Sequence, residues 1–560
     1  MTIVLGISCF YHDSAACLLK DGVIVAAAEE ERFSRKKHDN GFPKKAVEYC
    51  LKEAEIDISQ VDYVGFYEKP LLKFERMLTS FTKTYPLSLW SFFKAIPSWL
   101  TEKLRIHRLI YRKLKYKGEI LFIGHHLSHA ASAFLVSPFR EAAILTADGV
   151  GEWTTMSYGT GRSNQINMMK EIRFPDSLGL LYSTVTAFLG FKVNNDEYKV
   201  MGLSAYGKPS YYEQFKKVID IKEDGSFRLN PEYFSYEQKR KMFSRKFVKE
   251  FGKPRKPESR ITKKHADIAA TMQKITEEII LRATNHVYKV TKQKNLCIAG
   301  GVGLNSVANG RILRETPFKN IYIQPAATDA GGAVGAAAFI YHSLLKKKRS
   351  YVMNQVFLGP EFSKAEIKKY LDENKIKYKE LSEKELLTTT AKLIADNKIV
   401  GWFQGRMEFG PRALGNRSIL ANACNPKMKD IVNKKVKHRE EFRPFAPACL
   451  YEDTGKFFDI SCKSPFMLLV CDVKKDKRKV VPAITHVDGS ARLQTVVKED
   501  NPLYYKLIKE FKKITGVPVV LNTSFNIRGM PIVCTPKDAY ECFIGTGIDY
   551  LIMDKFLIRK

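Results

Sequence analysis

The chain has 560 residues, of which 45% are hydrophobic, and a formal net charge of +32; it therefore has room for two or three well-packed domains and is expected to meet acidic partners. No apolar run approaches the roughly 20 residues of a membrane span, and the first residues enter a predicted strand without the pattern of a secretory signal. Ten cysteines occur without a Cys-x-x-Cys pair, which argues against a zinc ribbon or a disulfide framework and predicts a reducing, cytoplasmic setting.

The N-terminal residues predict three consecutive strands. Apolar runs at 3–7, 14–19 and 23–28 are separated by a polar loop and then by an Asp-Gly turn that is typical of a hairpin. The loop carries His12 and Asp13, where a phosphate or hydroxyl group could approach the backbone. A run of mixed charges at 29–38 follows the third strand, and it is either a solvated face or the mouth of a site.

Two stretches hold much of the positive charge. One is 103–117, which follows an aromatic-rich run at 89–100, and the other is 239–264. Each is either a solvated basic face or a surface for an acidic partner. The first also has the composition of a helix that lies on anionic lipid headgroups, which would place the protein peripherally at the inner membrane face. Nucleic acid is the less favoured alternative.

A histidine-rich stretch at 124–134 follows a strand-like run at 119–123. If it opens a helix, His125 and His129 lie one turn apart on one face, where two imidazoles can share a divalent cation. Asp148 ends another apolar run, and Asp329 precedes a series of small residues. Two histidines with two aspartates suit Fe(II), Mn(II) or Zn(II). The alternative for a bare His-x-x-x-His is a helix start with satisfied surface histidines.

A second pattern of strand, Asp/Gly turn and strand occurs at 142–159. Its recurrence predicts two ribonuclease H-like lobes, as in the actin and sugar-kinase architecture. A helical pattern at 265–290 leads to a strand at 295–299 and then to a Gly-rich turn at 300–305. Such a turn can hold phosphate at a helix N-terminus, although tight packing explains it equally well.

A basic run at 346–350 predicts an exposed boundary. We expect a first domain over 1–350, a linker region over 351–379 and a second domain over 380–560. The residues from 362 to 398 predict two helices around a short strand, and a strand follows at 399–403. Arginines among Gly, Pro and aromatic residues are typical of phosphate or carboxylate sites, with interdomain salt bridges as the alternative. These arginines are Arg412, Arg417, Arg443 and Arg492.

Several motifs are spread collinearly over nearly the whole chain. They are His12-Asp13-Ser14-Ala15-Ala16, Glu29-Glu30-Glu31-Arg32-Phe33, His125-x-x-x-His129, Asp148-Gly149-Val150-Gly151-Glu152, Tyr198-Lys199-Val200-Met201-Gly202-Leu203, Gly300-Gly301-Val302 and Gly410-Pro411-Arg412-Ala413-Leu414-Gly415. Together they resemble the O-carbamoyltransferases of the nodulation-protein-U, cephamycin and tobramycin type. The resemblance implies an α/β protein with an N-terminal ASKHA-type domain, similar to the metal-binding threonylcarbamoyl-transferase subunit of tRNA modification. It also implies a C-terminal domain similar to YrdC.

The same resemblance implies a two-step reaction. Carbamoyl phosphate and ATP, with Mg²⁺, would form carbamoyl adenylate in the C-terminal domain. The carbamoyl group would then pass to a hydroxyl of a sugar-containing acceptor in the N-terminal cleft. Arginines of the second domain would hold the phosphates together during the first step.

Residue roles follow from the matched motifs. The implied ligands of iron(II), or of another divalent metal, are His125, His129, Asp148 and Asp329. The resemblance places Gly300, Gly301 and Asn305 at the nucleotide. It places His12, Asp13 and Lys37 at the acceptor, with His12 as the candidate general base. The alternatives are a loop-capping role for His12 and a surface position for Lys37.

In the second domain, Lys437-x-Arg439 and Ser524-x-Asn526 match the phosphate-binding pairs of YrdC-like proteins, beside Arg412, Arg443 and Arg492. His438 fills the middle of the first pair, and the sequence does not explain it. His126 is expected to be a neighbour of the metal ligands rather than a ligand.

Three other functions remain open at this point. A fused threonylcarbamoyl-adenosine tRNA-modifying enzyme would explain both domains, and a sugar kinase would explain only the first. A non-catalytic scaffold that binds nucleotide and metal on an anionic membrane is the third. The His12-Asp13-Ser14 loop and the Gly410–Gly415 block favour the carbamoyltransferase. The sequence leaves the acceptor and the oligomeric state open.

Overall fold

The structure is a computed structural model that describes residues 1–236 and 241–560. It is an α/β protein that divides into two compact units. The first unit comprises Met1–Glu30 and His38–Val352, and the second comprises Glu31–Lys37 and Met353–Lys560. Lys239 and Arg240, which begin the predicted basic stretch 239–264, lie outside the described residues.

Two sheets of one topology organise the described part of the first unit. The first sheet has the strand order Val23–Glu29, Ala15–Lys20, Ile3–Ser8, Tyr63–Phe66 and Glu119–Phe122. The second has the order Gln165–Arg173, Thr154–Arg162, Glu141–Ala147, Asn295–Ala299 and Asn320–Ile323. In each sheet the leading three strands are antiparallel neighbours, and the remaining two are added in parallel. The predicted duplication is therefore confirmed, and it is consistent with an ASKHA-type domain.

The predicted hairpin is also present. Asp21 and Gly22 both have positive φ, 49° and 82°, as a tight turn between twisted strands requires. A separate small sheet pairs Ile219–Ile221 with Phe227–Leu229. The helices of the first unit are Lys44–Glu53, Pro70–Lys83, Leu89–Thr101, Ile106–Leu114, His125–Phe134, Leu178–Phe188, Glu197–Ser204, Tyr212–Lys216, Arg245–Phe251, Lys263–Thr291, Ser306–Glu315 and Asp329–Ala338.

Small residues let the buried helix Asp329–Ala338 approach its neighbours closely. A Cβ on Gly335 would overlap the carbonyl oxygen of Ser128 in the helix His125–Phe134. A Cβ on Gly6 would likewise overlap the carbonyl oxygen of Ala333. Because neither overlap can be relieved by rotating a side chain, glycine is needed at both positions. The consequence is that Asp329 lies next to the histidine helix.

The second unit is built on one long mixed sheet. Its strand order is Lys379–Glu380, Phe556–Arg559, Tyr550–Met553, Val400–Phe403, Arg417–Asn422, Val519–Ser524, Ala446–Leu450, Ser490–Val496, Leu469–Val473 and Phe458–Asp459. Its helices are Glu31–Ser34, Lys364–Glu373, Glu383–Ala395, Met428–Val432, Thr454–Phe457, Pro502–Thr515 and Pro536–Ile544. Successive strand residues point to opposite faces, so Trp402 and Phe403 pack into separate apolar cores.

The two helices and short strand predicted between 362 and 398 are confirmed. Part of the predicted linker region 351–379 is therefore folded. Its helix Lys364–Glu373 buries Ile367 and Leu371 in the core of the second unit. Over the described residues, none of the helices combines the length and apolar character that crossing a bilayer requires.

The short segment Glu31–Lys37 belongs to the second unit although its sequence neighbours belong to the first. The Arg32 guanidinium donates to the carbonyl of Gly410 at 2.9 Å, and that of Arg35 donates to the carbonyl of Ile532 at 2.7 Å. Phe33 packs against the cluster that contains Ile532. The sequence predicts a continuous first domain over 1–350. It does not predict that Glu31–Lys37, within that range, belongs to the second unit.

Candidate metal centre and anion site

The structure brings the four predicted metal ligands together. His125 and His129 lie on the helix His125–Phe134, Asp148 follows the strand Glu141–Ala147, and Asp329 is the first residue of its helix. One potential ligand atom from each residue lies within 4.8 Å of all the others. All four side chains are buried. The i,i+4 spacing and the strand end therefore act as the sequence predicts.

The ligand atoms converge on one point. Nε2 of His125 lies 3.1 Å from Nε2 of His129, and these two atoms lie 3.1 and 3.3 Å from Oδ2 of Asp148. Oδ1 of Asp329 lies 3.7 and 3.9 Å from the same two nitrogens. Within residues 1–236 and 241–560, this buried Oδ1 has no hydrogen-bond partner. A buried, unpartnered carboxylate oxygen that faces two imidazole nitrogens fits a divalent cation.

A second layer of contacts orients the ligands. The backbone N–H of Gly301 donates to Oδ1 of Asp148 at 3.2 Å, and the Tyr67 hydroxyl donates to Oδ2 of Asp329 at 3.2 Å. Each carboxylate thus has one oxygen held by the protein, while the other faces the centre. Such outer contacts fix ligand orientation in metal sites.

Glu152 fixes the start of the histidine helix. Its carboxylate accepts from the backbone N–H of His125 at 2.9 Å and from that of Lys69 at 2.7 Å. A carboxylate at a helix N-terminus also interacts favourably with the helix dipole. Glu152 therefore sets the direction in which the two imidazoles leave the backbone, and it is a site residue that the sequence analysis did not select.

The buried carboxylates of the candidate metal centre favour a positive charge between them. Burial opposes ionisation of Asp148, but hydrogen bonds from His125 and His129 outweigh it and hold the pKa of Asp148 well below its usual value. Burial also opposes protonation of His125, yet Asp148, Asp329 and Glu152 raise its pKa to about 9. A divalent cation would supply the same positive charge without requiring protonated imidazoles.

His126 is a neighbour and not part of the convergent set, as the sequence predicts. Its Nδ1 lies 2.7 Å from the hydroxyl of Thr146, on a strand of the second sheet. Burial and the adjacent His125 and His129 hold the pKa of His126 well below its usual value. Its imidazole is therefore neutral and bonded to the sheet.

The predicted acceptor residues His12 and Asp13 lie in a tightly bonded loop of the first unit. Nδ1 of His12 is 3.0 Å from Oδ2 of Asp13, and Nδ1 of His38 is 2.6 Å from Oδ1 of the same aspartate. Nε2 of His38 lies 2.8 Å from Oδ1 of Asn195. Asp13 therefore orients two imidazoles at once, and neither His38 nor Asn195 is selected by the sequence motifs.

The loop also lies in the field of the metal centre. Burial lowers the pKa of His12, but the carboxylates of Asp329, Asp13 and Asp148 outweigh burial and raise it to about 10. Two of these three carboxylates are candidate metal ligands. A bound divalent cation would therefore neutralise much of the charge that holds a proton on His12.

The predicted nucleotide residues have clear structural tasks. Gly300 has a φ of 92°, and a Cβ there would overlap the carbonyl oxygen of Ala147, so the turn requires glycine. Asn305 caps the helix Ser306–Glu315 by accepting from the N–H of Ala308 at 3.1 Å. Its amide also exchanges two hydrogen bonds with Gln273, of 2.9 and 3.0 Å. Packing thus accounts for Gly300 and Asn305, as the sequence analysis allowed.

We expect Asn305→Ala to lower the free energy of unfolding by about 2 kcal/mol, because it removes a helix cap and leaves the buried Gln273 amide unpaired. Chemical denaturation of the purified protein measures this loss. Asn305→Asp, which keeps the capping oxygen, serves as the control and should retain more than half of the stability that Asn305→Ala loses. An unchanged stability in Asn305→Ala would contradict the structural role.

In the second unit, the predicted Lys437 and the Ser524–Asn526 segment form one cluster. The Lys437 ammonium donates to the backbone carbonyl of Ser524 and, at 3.0 Å each, to the backbone and side-chain oxygens of Asn526. The Ser524 hydroxyl donates to Oδ1 of Asn526 at 2.7 Å. The two predicted phosphate-binding pairs therefore meet through Lys437 and Asn526.

Cations gather around this cluster. Burial, together with the charges of Arg439, Arg443 and Lys37, holds the pKa of Lys437 well below its usual value. Burial, followed by the charges of Arg412, Arg439 and Arg443, does the same to the pKa of Arg492. Lys437, Arg492 and the cations whose charges lower their pKa values are called the cation cluster here. Its six members are Lys37, Arg412, Lys437, Arg439, Arg443 and Arg492.

Individual contacts fix the members of the cation cluster. The Arg439 guanidinium lies 4.3 Å from the centre of the Phe445 ring and donates to Oδ1 of Asn433 at 2.9 Å. Arg443 forms a 3.5 Å ion pair with Glu440. The buried Nε of Arg492 has no hydrogen-bond partner within the part of the chain that the structure describes. Several cationic side chains that act on one another, one of them with a buried and unpartnered donor, favour an anionic ligand.

Lys37 is a member of the cation cluster and belongs to the second unit with the rest of its segment. The resemblance places Lys37 with His12 and Asp13 at the acceptor, but those two residues belong to the first unit. The structure thus groups Lys37 with the candidate phosphate-binding residues.

Arg417 differs from the other arginines. Its side chain is fully buried, stacks on the Phe403 ring at 3.7 Å, and donates to the backbone carbonyls of Gln404 and Pro360 at 2.6 and 3.0 Å. These contacts give Arg417 a structural task. His438 adopts a left-handed conformation, with φ of 43°, and ends the helical turn Asn433–Lys437, which accounts for the residue between Lys437 and Arg439.

Comparisons with known proteins agree with the motifs. The family description "Carbamoyltransferase N-terminus" matches residues 3–338, and "Carbamoyltransferase C-terminus" matches residues 391–560. The chain is 49% identical to the uncharacterized protein sll1178 of Synechocystis sp., over 100% of this chain and 97% of that protein.

Two nodulation proteins are also similar to this chain. Nodulation protein NolNO of Sinorhizobium fredii is 37% identical, over 98% of this chain and 79% of that protein. Nodulation protein U of Rhizobium tropici is 28% identical, over 98% of this chain and 95% of that protein.

Proposed function

The chain belongs to the carbamoyltransferase family, and we propose that it is an ATP-dependent O-carbamoyltransferase that uses carbamoyl phosphate and forms carbamoyl adenylate. The acceptor in this proposal is a hydroxyl group of a sugar-containing molecule. The second unit, proposed to be YrdC-like, makes the adenylate, and the first unit transfers the carbamoyl group.

The observation that carries this proposal is the cation cluster. The buried Nε of Arg492 has no hydrogen-bond partner within the described residues, and the charges of Arg412, Arg439 and Arg443 lower the pKa of Arg492. The buried Lys437 side chain contacts Ser524 and Asn526. A family member must bind a carbamoyl donor, and carbamoyl phosphate and ATP both bring phosphate groups. Several converging cations can hold two such polyanions together against their mutual repulsion.

The proposed reaction passes through carbamate and carbamoyl adenylate. Water releases phosphate from carbamoyl phosphate and leaves carbamate. A carbamate oxygen attacks the α-phosphorus of ATP, so that carbamoyl adenylate forms and pyrophosphate leaves with Mg²⁺. The acceptor hydroxyl then attacks the carbamoyl carbon, the bond to the AMP oxygen breaks, and AMP leaves. Keeping the adenylate away from water prevents its hydrolysis.

Residues of the first unit carry the second step in this proposal. His125, His129, Asp148 and Asp329 would hold iron(II) or another divalent cation, which supplies a Lewis acid to the transferred group or its phosphate. His12, oriented by Asp13 through Nδ1, has Nε2 available to take the proton of the acceptor hydroxyl when its imidazole is neutral. His38 holds the other oxygen of Asp13 and so positions the pair.

A pyrophosphate exchange assay tests the first step. We expect labelled pyrophosphate to enter ATP only when carbamoyl phosphate is present, because adenylate formation is reversible. Reactions without carbamoyl phosphate serve as the control. Exchange that instead requires threonine and bicarbonate would assign the chain to threonylcarbamoyl chemistry, and a complete absence of exchange would contradict adenylate formation.

A further inference from the structure

A helical insertion of the first unit contributes none of the four candidate metal ligands and none of the residues of the cation cluster. It lies between the parallel strands Tyr63–Phe66 and Glu119–Phe122 and contains the helices Pro70–Lys83, Leu89–Thr101 and Ile106–Leu114. A crossover of about a dozen residues, usually one helix, is enough to join two parallel strands, whereas residues 67–118 contain three helices. The insertion therefore adds a surface that the sheet does not require.

The helix Leu89–Thr101 is apolar on two faces. One face packs inside the insertion, where the Trp99 ring lies 5.5 Å from that of Phe74 and the Phe92 ring lies 5.4 Å from that of Phe81. The other face is exposed and carries Trp90 and Phe93, with exposed fractions of 88% and 63%. An exposed apolar face of this kind marks a surface that contacts a partner or a membrane.

The exposed apolar residues form a continuous stripe on this helix. At about 100° per residue, Leu89, Leu100, Phe93, Pro97 and Trp90 fall within an arc of about 100°. The preceding turn adds the exposed residues Tyr85 and Leu87. This set of seven residues is called the aromatic stripe here.

Positive charge surrounds the aromatic stripe. Residues 70–117 contain eleven lysines and arginines and two acidic residues. The helix Ile106–Leu114 buries Ile106, Leu109, Ile110 and Leu114. Its opposite side and the adjoining residues expose basic side chains, and those along the insertion are Lys83, Lys94, Arg105, Arg108, Arg112 and Lys113.

We propose that the insertion is a docking surface for an anionic lipid bilayer. Exposed aromatic residues enter the boundary between headgroups and acyl chains, and lysines and arginines bind anionic headgroups. The scarcity of acidic residues favours a uniformly anionic surface over a protein partner, whose interface would offer charges of both signs. This proposal does not depend on the carbamoyl chemistry, since docking occurs without turnover.

The docking surface is attached to the metal centre. At the start of the helix Pro70–Lys83, the N–H of Lys69 donates to Glu152, which also binds the N–H of His125. Arg76 donates to the carbonyl of Gly151 at 2.8 Å. A helix of this length spans about 20 Å, so that a docked protein would hold its histidine helix within a few nanometres of the bilayer.

Flotation of the full chain with lipid vesicles tests the proposal. The vesicles contain about 30 mol% phosphatidylglycerol in phosphatidylcholine, and pure phosphatidylcholine vesicles are the comparison. We expect the wild type to float with the anionic vesicles. Trp90→Ala/Phe93→Ala should bind at least about tenfold more weakly, because each aromatic residue that loses burial costs about a decade in affinity.

Charge variants separate the two contributions. Arg105→Glu/Arg108→Glu/Arg112→Glu should abolish the preference for anionic vesicles. The matched controls are Leu344→Ala/Ile514→Ala, at exposed apolar residues elsewhere, and Lys368→Glu/Lys377→Glu/Lys509→Glu, at exposed lysines of the second unit. Both controls should float like the wild type. Circular dichroism and thermal denaturation of all variants, compared with the wild type, report that they are folded.

Two results would overturn the proposal. One is a wild-type chain that stays with the soluble fraction in the presence of anionic vesicles. The other is equal flotation by the wild type and Trp90→Ala/Phe93→Ala. If the soluble wild type instead self-associates and this variant does not, the aromatic stripe is an interface between copies of the chain.

Discussion

His129→Ala is expected to abolish transfer of the carbamoyl group to the acceptor while leaving carbamoyl-phosphate-dependent pyrophosphate exchange intact. The change removes one of two imidazole nitrogens that lie 3.1 Å apart in the candidate metal centre. Transfer should fall by at least about 10³-fold if the centre supplies several kcal/mol of charge stabilisation. Elemental analysis of the purified variant should show the loss of bound metal.

The matched control is His126→Asn, three residues away on the same helix. Its amide can replace the contact between Nδ1 of His126 and the Thr146 hydroxyl, so the variant should keep its metal and its transfer activity. Loss of exchange in a folded His129→Ala protein would contradict the division of the two steps between the two units. Loss of metal in the control to the same extent would show that the effect is general to the helix.

The positions of three of the four candidate metal ligands could be predicted from sequence because they depend on helix spacing and on strand ends. A spacing of four residues puts His125 and His129 on one helix face, and parallel strands deliver residues such as Asp148 to one sheet edge. The position of Asp329 needed more than spacing. It depends on the close approach of two helices, which Gly335 permits. The sequence grouped Asp329 with the histidines by ligand type, and the family resemblance supported that grouping.

The sequence could not predict that the segment Glu31–Lys37 belongs to the second unit. Its mixed charges are compatible with a solvated face, and the residues that bind it, such as Gly410 and Ile532, are several hundred positions away. A pattern within the segment carries no information about such contacts. Lys37 consequently joins the cation cluster of the second unit, although the residues before Glu31 and after Lys37 belong to the first unit.

Arginine roles show the same limit. Arg417 and Arg492 both lie among Gly, Pro or apolar residues in the sequence, and the sequence assigns them the same role. In the structure, the Arg417 guanidinium donates hydrogen bonds to backbone carbonyls. The pKa of Arg492 is instead lowered by the charges of other arginines. The number of nearby backbone acceptors is a tertiary property, so it could not be read from residue type.

Arg492→Met should lower pyrophosphate exchange by about 10²-fold or more, the usual cost of removing one donor to developing charge. It should also raise the free energy of unfolding of the ligand-free protein by up to about 2 kcal/mol, because the substitution removes one of the mutually repelling charges of the cation cluster. Exchange kinetics and thermal denaturation measure the two effects on one preparation.

Arg417→Met is the matched control, and its stability should change in the opposite direction. Removing this guanidinium leaves the carbonyls of Gln404 and Pro360 without their donor, at a cost of about 3 kcal/mol or more. Pyrophosphate should stabilise the wild type more than Arg492→Met, because an anion that binds the native state shifts unfolding by mass action. If both variants lose stability and exchange together, Arg492 is a structural residue like Arg417, and the cation cluster has no role in binding phosphate. If only Arg492→Met gains stability while it loses exchange, the positive charges that repel one another in the free protein are the ones that bind the polyanionic substrates.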